Sequence, residues 1–110
     1  MKKGDIVLIP FPFTDLSGLK NRPALILAVG EADVTVSFMT TQLKWQEDFD
    51  VKIEPMQTNG LKKTSLIRLF KLATIDKDLV LGKLGELSDE ELKKVDNVLV
   101  DLFQLRHLQS

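Results

Sequence analysis

The apolar residues of this chain keep two periods, and the change between them restricts the fold more than any other feature. Up to about residue 72 they alternate or run in short blocks between turn formers; after Ser88 they fall at helical spacing. Residues 6–10 (IVLIP) read as a first strand, and Pro10 and Pro12 set its end at a sheet edge, where a missing N–H is tolerated. Residues 14–21 (TDLSGLKN) gather Asp, Ser, Gly and Asn and read as a loop. Residues 24–29 are continuously apolar, as in a strand buried on both faces, and residues 30–33 make a tight connection. In residues 34–39, Val34, Val36 and Phe38 share one face while Thr35 and Ser37 share the other. Val51 and Ile53 alternate with Asp50, Lys52 and Glu54 in the same way. Asn59-Gly60 marks a turn, and residues 66–72 form a further strand with Leu66 and Ile67 inward.

The helical part opens on Ser88-Asp89-Glu90-Glu91, a capping box in which the serine hydroxyl and the glutamate carboxylate satisfy each other's backbone N–H groups. Leu92, Val95, Leu99 and Leu102 follow as a stripe, widened by Val98 and Phe103. Residues 76–79 suit one short helical turn. Short strands closed by one amphipathic helix predict a mainly β (α+β) chain, a small barrel with the helix packed on it. At 110 residues it reads as a single domain, 1–110.

Several function classes drop out on composition. Cysteine is absent, so there is neither a disulfide framework nor a thiolate metal site. The N-terminal apolar stretch is short and carries two prolines, which suits neither a signal peptide nor a membrane span; a cytoplasmic protein is expected. Net charge is −1, unfavourable at first sight for a nucleic-acid partner. The distribution is uneven: residues 1–72 hold ten basic against eight acidic side chains, the remainder five against eight. The only histidine, His107, reads as a solvated residue near the C-terminus. No phosphate-cradling glycine loop and no nucleophile elbow is present. With one histidine and no cysteine a zinc site would need carboxylates alone, so no cofactor is expected, and an enzyme built from these residues works by positioning and electrostatics rather than by an imidazole pair.

Two segments carry candidate chemistry. In Lys20-Asn21-Arg22-Pro23 the proline fixes the backbone, so the guanidinium is presented from a defined place; the plainer reading is a surface arginine at a strand start. Thr40-Thr41-Gln42 follows the alternating strand, and its side chains also suit the capping of a turn.

In their order along the chain these segments resemble the MazF/PemK toxins. Gly4-Asp5-Ile6-Val7 is similar to that family's opening strand, and Arg22-Pro23-Ala24-Leu25-Ile26-Leu27 to its arginine-proline motif. Met39-Thr40-Thr41-Gln42 resembles its Thr-Thr-Gln, Thr64-Ser65-Leu66-Ile67 and Ala73-Thr74-Ile75-Asp76 its later strand and turn, and Gly85-Glu86-Leu87-Ser88 its approach to the closing helix. The resemblance implies an SH3-like (CcdB-like) barrel, a homodimer, metal-free cleavage of single-stranded RNA at short sequences, and an antitoxin partner whose extended tail blocks the RNA groove. It assigns Arg22 as catalytic arginine and Thr40 as catalytic threonine. Two departures stand out. The first loop is short, with the acidic residue of many relatives missing or replaced near Gly18. Phe70-Lys71 stands where relatives often carry an acid-glutamine pair.

For RNA binding, Lys20, Lys44, Lys62 and Lys63 are candidates for phosphates, Phe13 and Trp45 for stacking on a base, and Thr41 and Gln42 are further candidate contacts. The lysines taken singly also suit a solvated surface, and Phe13 a core or dimer contact. Two other functions fit a barrel of this kind: a non-catalytic gyrase inhibitor like CcdB, and an SH3-like peptide-binding module. Only 6% aromatic residues and no tyrosine weigh against the peptide module.

Overall fold

The computed structural model describes residues 1–11 and 20–106. Within them the two-residue period becomes six strands: β1 (Asp5–Phe11), β2 (Lys20–Val29), β3 (Asp33–Thr40), β4 (Asp50–Ile53), β5 (Ser65–Asp76) and β6 (Gly82–Glu86). The helix α1 (Asp89–Phe103) follows. The strands form one antiparallel sheet in the order β4-β5-β3-β2-β1-β6. It curls into a half-barrel with α1 against it, the mainly β architecture with a closing helix that the sequence predicts. Past Leu8 the outer side of β1 has no pairing with β6, and Pro10 sits in that free stretch, where its missing N–H interrupts no ladder.

The sheet is apolar on both faces. Ala24, Leu25 and Ile26 are all fully buried because successive side chains of β2 enter opposite clusters. Leu25 packs with Ile6, Met39, Ile67 and Val95 on the helix side. Ala24 and Ile26 pack with Val7, Ile9, Val34 and Val36 on the other. Each fully buried aliphatic side chain of this size contributes about 1.5–3 kcal/mol. Ser37 lies among them with no exposure, and its hydroxyl donates to the Arg68 carbonyl at 2.8 Å.

The capping box forms as read. Ser88 Oγ accepts from the Glu91 N–H at 3.2 Å, and Glu91 Oε1 accepts from the Ser88 N–H at 2.9 Å. Val95 is fully buried, and Leu92, Val98, Leu99 and Leu102 are half-buried against the same cluster. Phe103 is exposed and adds little to the stripe. The short turn also forms, as a 3-10 helix over Lys77–Leu79.

Two elements differ from the sequence reading. Lys20 and Asn21 belong to β2 rather than to a loop, since they pair with Phe11 and Pro10. β6 was not foreseen; its sequence GKLGE has no β-branched residue, and it is held as a strand by β1.

Its far side meets the turn that follows β4. There Asn59 is fully buried: its Oδ1 accepts from the N–H groups of Met56 and Leu61, both at 3.0 Å, and its Nδ2 donates to the Glu54 carbonyl at 2.9 Å. The Glu86 N–H donates to the Thr58 carbonyl at 2.9 Å. Contact is so close that a Cβ on Gly85 would lie 2.4 Å from the Thr58 oxygen, and one on Gly60, whose φ is +70°, would lie 2.1 Å from the Leu84 oxygen. The turn thus seals the gap between the two outer strands.

A charge cluster ties the N-terminus to β6. The buried Asp5 carboxylate accepts from the Lys2 N–H at 3.0 Å and has Lys83 Nζ at 3.3 Å; Lys2 and Lys83 also hold Glu86. Burial acts to raise the Asp5 carboxyl, but the Lys2 N–H and then the Lys83 ammonium outweigh it and hold it below the usual carboxylate range. No helix among the described residues is long and apolar enough to cross a membrane.

Candidate active-site cleft

Strand register brings the two candidate segments together. Ala24 pairs with Phe38 and Leu25 with Ser37; the same register continued outward sets Arg22 opposite Thr40. Phe38 in turn pairs with Arg68 of β5. Directly opposed residues point to the same face, as do residues two apart on one strand, so Arg22, Phe38, Thr40 and Arg68 share a face. They line a cleft of about 340 Å³ with Pro23, Met39, Thr41, Gln42 and Lys71. That volume lies in the range of small-ligand sites, about 300–1,000 Å³.

The cleft is cationic. Arg22, Arg68 and Lys71 line it, and among the described residues no carboxylate does. Arg22 and Lys71 form no ion pair among the described residues. Arg68 differs: its guanidinium pairs with Glu47, and its Nε lies 3.7 Å from the buried Asp50 carboxylate. A free guanidinium presents its N–H fork to an anion such as a phosphate, whereas a paired one is fixed in place and largely neutralised.

Thr40 also does what the plainer reading expected. Its Oγ1 accepts from the Gln42 N–H at 3.1 Å, turning the chain at the end of β3. That bond uses one lone pair and leaves the hydroxyl hydrogen to donate into the cleft.

The other candidates lie elsewhere or outside the description. Lys20, Lys44, Trp45, Lys62 and Lys63 are exposed and do not line this cleft. Trp45 sits on the 3-10 turn Leu43–Trp45, 68% exposed, with Lys44 Nζ 5.5 Å from its ring centre. Phe13 and His107, and the loop around Gly18, fall outside the described residues. Sequence reading missed Arg68, which reads there as one more polar position on a strand. Lys71 was noticed only as a departure from the family pattern. No group of three or more His, Asp or Glu side chains among the described residues is arranged to hold a metal ion.

The profile of the PemK-like, MazF-like toxins of type II toxin-antitoxin systems matches residues 2–103. The chain belongs to this family. Comparison with curated protein sequences gave no match. Solved structures of similar fold include the Mycobacterium tuberculosis toxin MazF-mt6, with TM-score 0.73 and 22% identity over 94% of this chain and 99% of that one. A mycobacterial endoribonuclease solved in complex with its cognate antitoxin gives TM-score 0.74 and 18% identity, covering 98% and 97%. MazF from Deinococcus radiodurans gives 0.73 and 19%, covering 96% and 97%. At these identities the likeness establishes a common fold, so the MazF/PemK half-barrel is shared over nearly the whole length.

Proposed function

We propose that this MazF/PemK-family chain is a cytoplasmic endoribonuclease that cuts single-stranded RNA at short recognition sequences, without metal, by attack of the 2′-hydroxyl on the adjacent phosphate. The observation that carries the reading is the meeting of a guanidinium without an ion pair among the described residues, Arg22, with a hydroxyl that has its hydrogen to donate, Thr40, in one cationic cleft. The named activity of one structural neighbour, the mycobacterial endoribonuclease, agrees with it.

In this reaction the substrate supplies its own nucleophile. The 2′-oxygen bonds to phosphorus, the bond to the 5′-oxygen breaks, and the proton lost by the first oxygen is balanced by one gained by the second. The products are a 2′,3′-cyclic phosphate and a free 5′-hydroxyl. Negative charge grows on the non-bridging oxygens as the fifth bond forms. Arg22 meets it with two N–H groups, and one well-placed donor of this kind supplies about 3 kcal/mol. A guanidinium of pKa above about 12 does not act as the general base. Thr40 donates to a phosphate oxygen or orients the 2′-hydroxyl. The protein acts as a homodimer, and an antitoxin's extended tail inhibits it by occupying the cleft.

The test is incubation of the purified protein and its Arg22→Ala variant with single-stranded RNA in the presence of EDTA. New 5′-hydroxyl ends are expected, with cleavage by the variant slower by about 10²–10³-fold. A deoxyribose at the cleaved position abolishes the reaction. Intact RNA overturns the proposal in favour of a gyrase inhibitor or peptide binder, and equal cleavage by both proteins removes Arg22 from the mechanism.

A further inference from the structure

β5 has residues to spare against its neighbour. Ser37 pairs with Leu72, but the next residue, Phe38, pairs with Arg68, so Leu69, Phe70 and Lys71 have no partner on β3. A bulge of this kind re-aims side chains. Leu69 turns fully into the core, while Phe70 and Lys71 are both exposed, which strict alternation would not allow. Phe70 is 69% exposed, so its ring face is open to solvent. Its centroid lies 6.1 Å from that of Phe49. The two rings line a second cleft of about 370 Å³ together with Glu47, Asp48 and Asp50. Arg68 joins the clefts, lining the first and pairing with Glu47 and Asp50 of the second.

From this geometry we infer that Phe70 and Lys71 form a nucleotide subsite beside the scissile phosphate: Phe70 stacks an unpaired base, and Lys71 takes a phosphate of the same strand. The inference rests on the RNA-cleavage reading above and adds a place to it. The charges set the direction of the nucleotide. Carboxylates of the Phe49–Phe70 cleft repel a phosphate but tolerate a base, whose edge donates hydrogen bonds to them. Lys71 and Arg22, which form no ion pair among the described residues, attract the phosphates into the first cleft. A planar base matches an exposed ring better than an aliphatic side chain does, because stacking needs only a flat face and is indifferent to sequence.

The experiment measures binding of fluorescein-labelled single-stranded RNA pools, made uncleavable by 2′-O-methyl sugars, by anisotropy across a range of salt. Phe70→Ala is expected to weaken binding about tenfold or more, and Phe70→Trp to restore it. Lys71→Gln is expected to flatten the log–log salt dependence by about 0.7, one phosphate contact on a single strand, and Lys71→Arg to recover it. Both sites are exposed, so the melting temperature stays at the wild-type value. Unchanged affinity and salt slope in both variants overturn the subsite, as does a fall in melting temperature with affinity intact. Cleavage of unmodified RNA by the wild type separates the two readings. If it cuts and the variants bind normally, the subsite alone fails; if it neither cuts nor binds, the nuclease reading fails with it.

Discussion

Asn59 offers the sharpest test of how the half-barrel is held shut. Its side chain makes three hydrogen bonds of 2.9–3.0 Å from a position with no exposure, two accepted from Met56 and Leu61 N–H groups and one donated to the Glu54 carbonyl. Asn59→Ala deletes all three and leaves two donors and an acceptor without that partner. At about 1 kcal/mol net for each bond the loss is roughly 3 kcal/mol. For 110 residues, an unfolding entropy of about 2.1 cal/mol/K per residue converts that into a fall of about 13 °C in melting temperature. Thermal unfolding followed by circular dichroism, at one fixed protein concentration, measures it. A fall under about 4 °C would mean that water replaces the amide without cost, and the turn would then be ornament rather than closure.

Three further outcomes follow from the same structure. Gly85→Ala forces a methyl against the Thr58 carbonyl and the backbone of Asn59, and is expected to cost about 1–3 kcal/mol; denaturant titration with an unchanged slope reads it as stability alone. Because the folded Asp5 carboxyl lies below its ordinary value of 3.8, its contribution is present above that pH and fades as pH falls through the lower folded value. Asp5→Asn should therefore be about 1.5–3 kcal/mol less stable near pH 7, and the gap to wild type should close on acidification below pH 4, as melting curves at several pH values will show. Ser88→Ala removes the helix cap and should lower stability by about 1 kcal/mol with no change in RNA binding.

What could be read from residues alone was whatever local pattern dictates. The alternation in β3, the apolar block of β2 and the Ser88 capping box each appear where periodicity and capping chemistry place them. β6 escaped because GKLGE has weak strand propensity and owes its shape to β1 and to the turn at Asn59. Asn59 itself was legible as a turn former, but its burial depends on β6 arriving over it. The cleft divides the same way. Arg22 and Thr40 were singled out by motif, yet only pairing of β2 with β3 sets them face to face. Arg68 enters through β5, and its place opposite Phe38 depends on a bulge that no local signal announces. The basic residues flanking Trp45 and Thr64 looked equally suitable on paper and lie away from the cleft, since a lysine carries no mark of which surface it will occupy.

The two-sided burial of β2 has a consequence for folding. Sliding Ala24-Leu25-Ile26 along by a single residue exchanges one apolar side chain for another, so greasiness by itself scarcely distinguishes the right alignment from its nearest wrong one. The alignment of β3 on β5 is held differently, by a group that cannot be satisfied twice: the Ser37 hydroxyl finds the Arg68 carbonyl in one alignment only. A single interior hydroxyl thereby acts as the vernier that sets Phe38 across from Arg68, and the cleft inherits that part of its accuracy from a residue that does not line it.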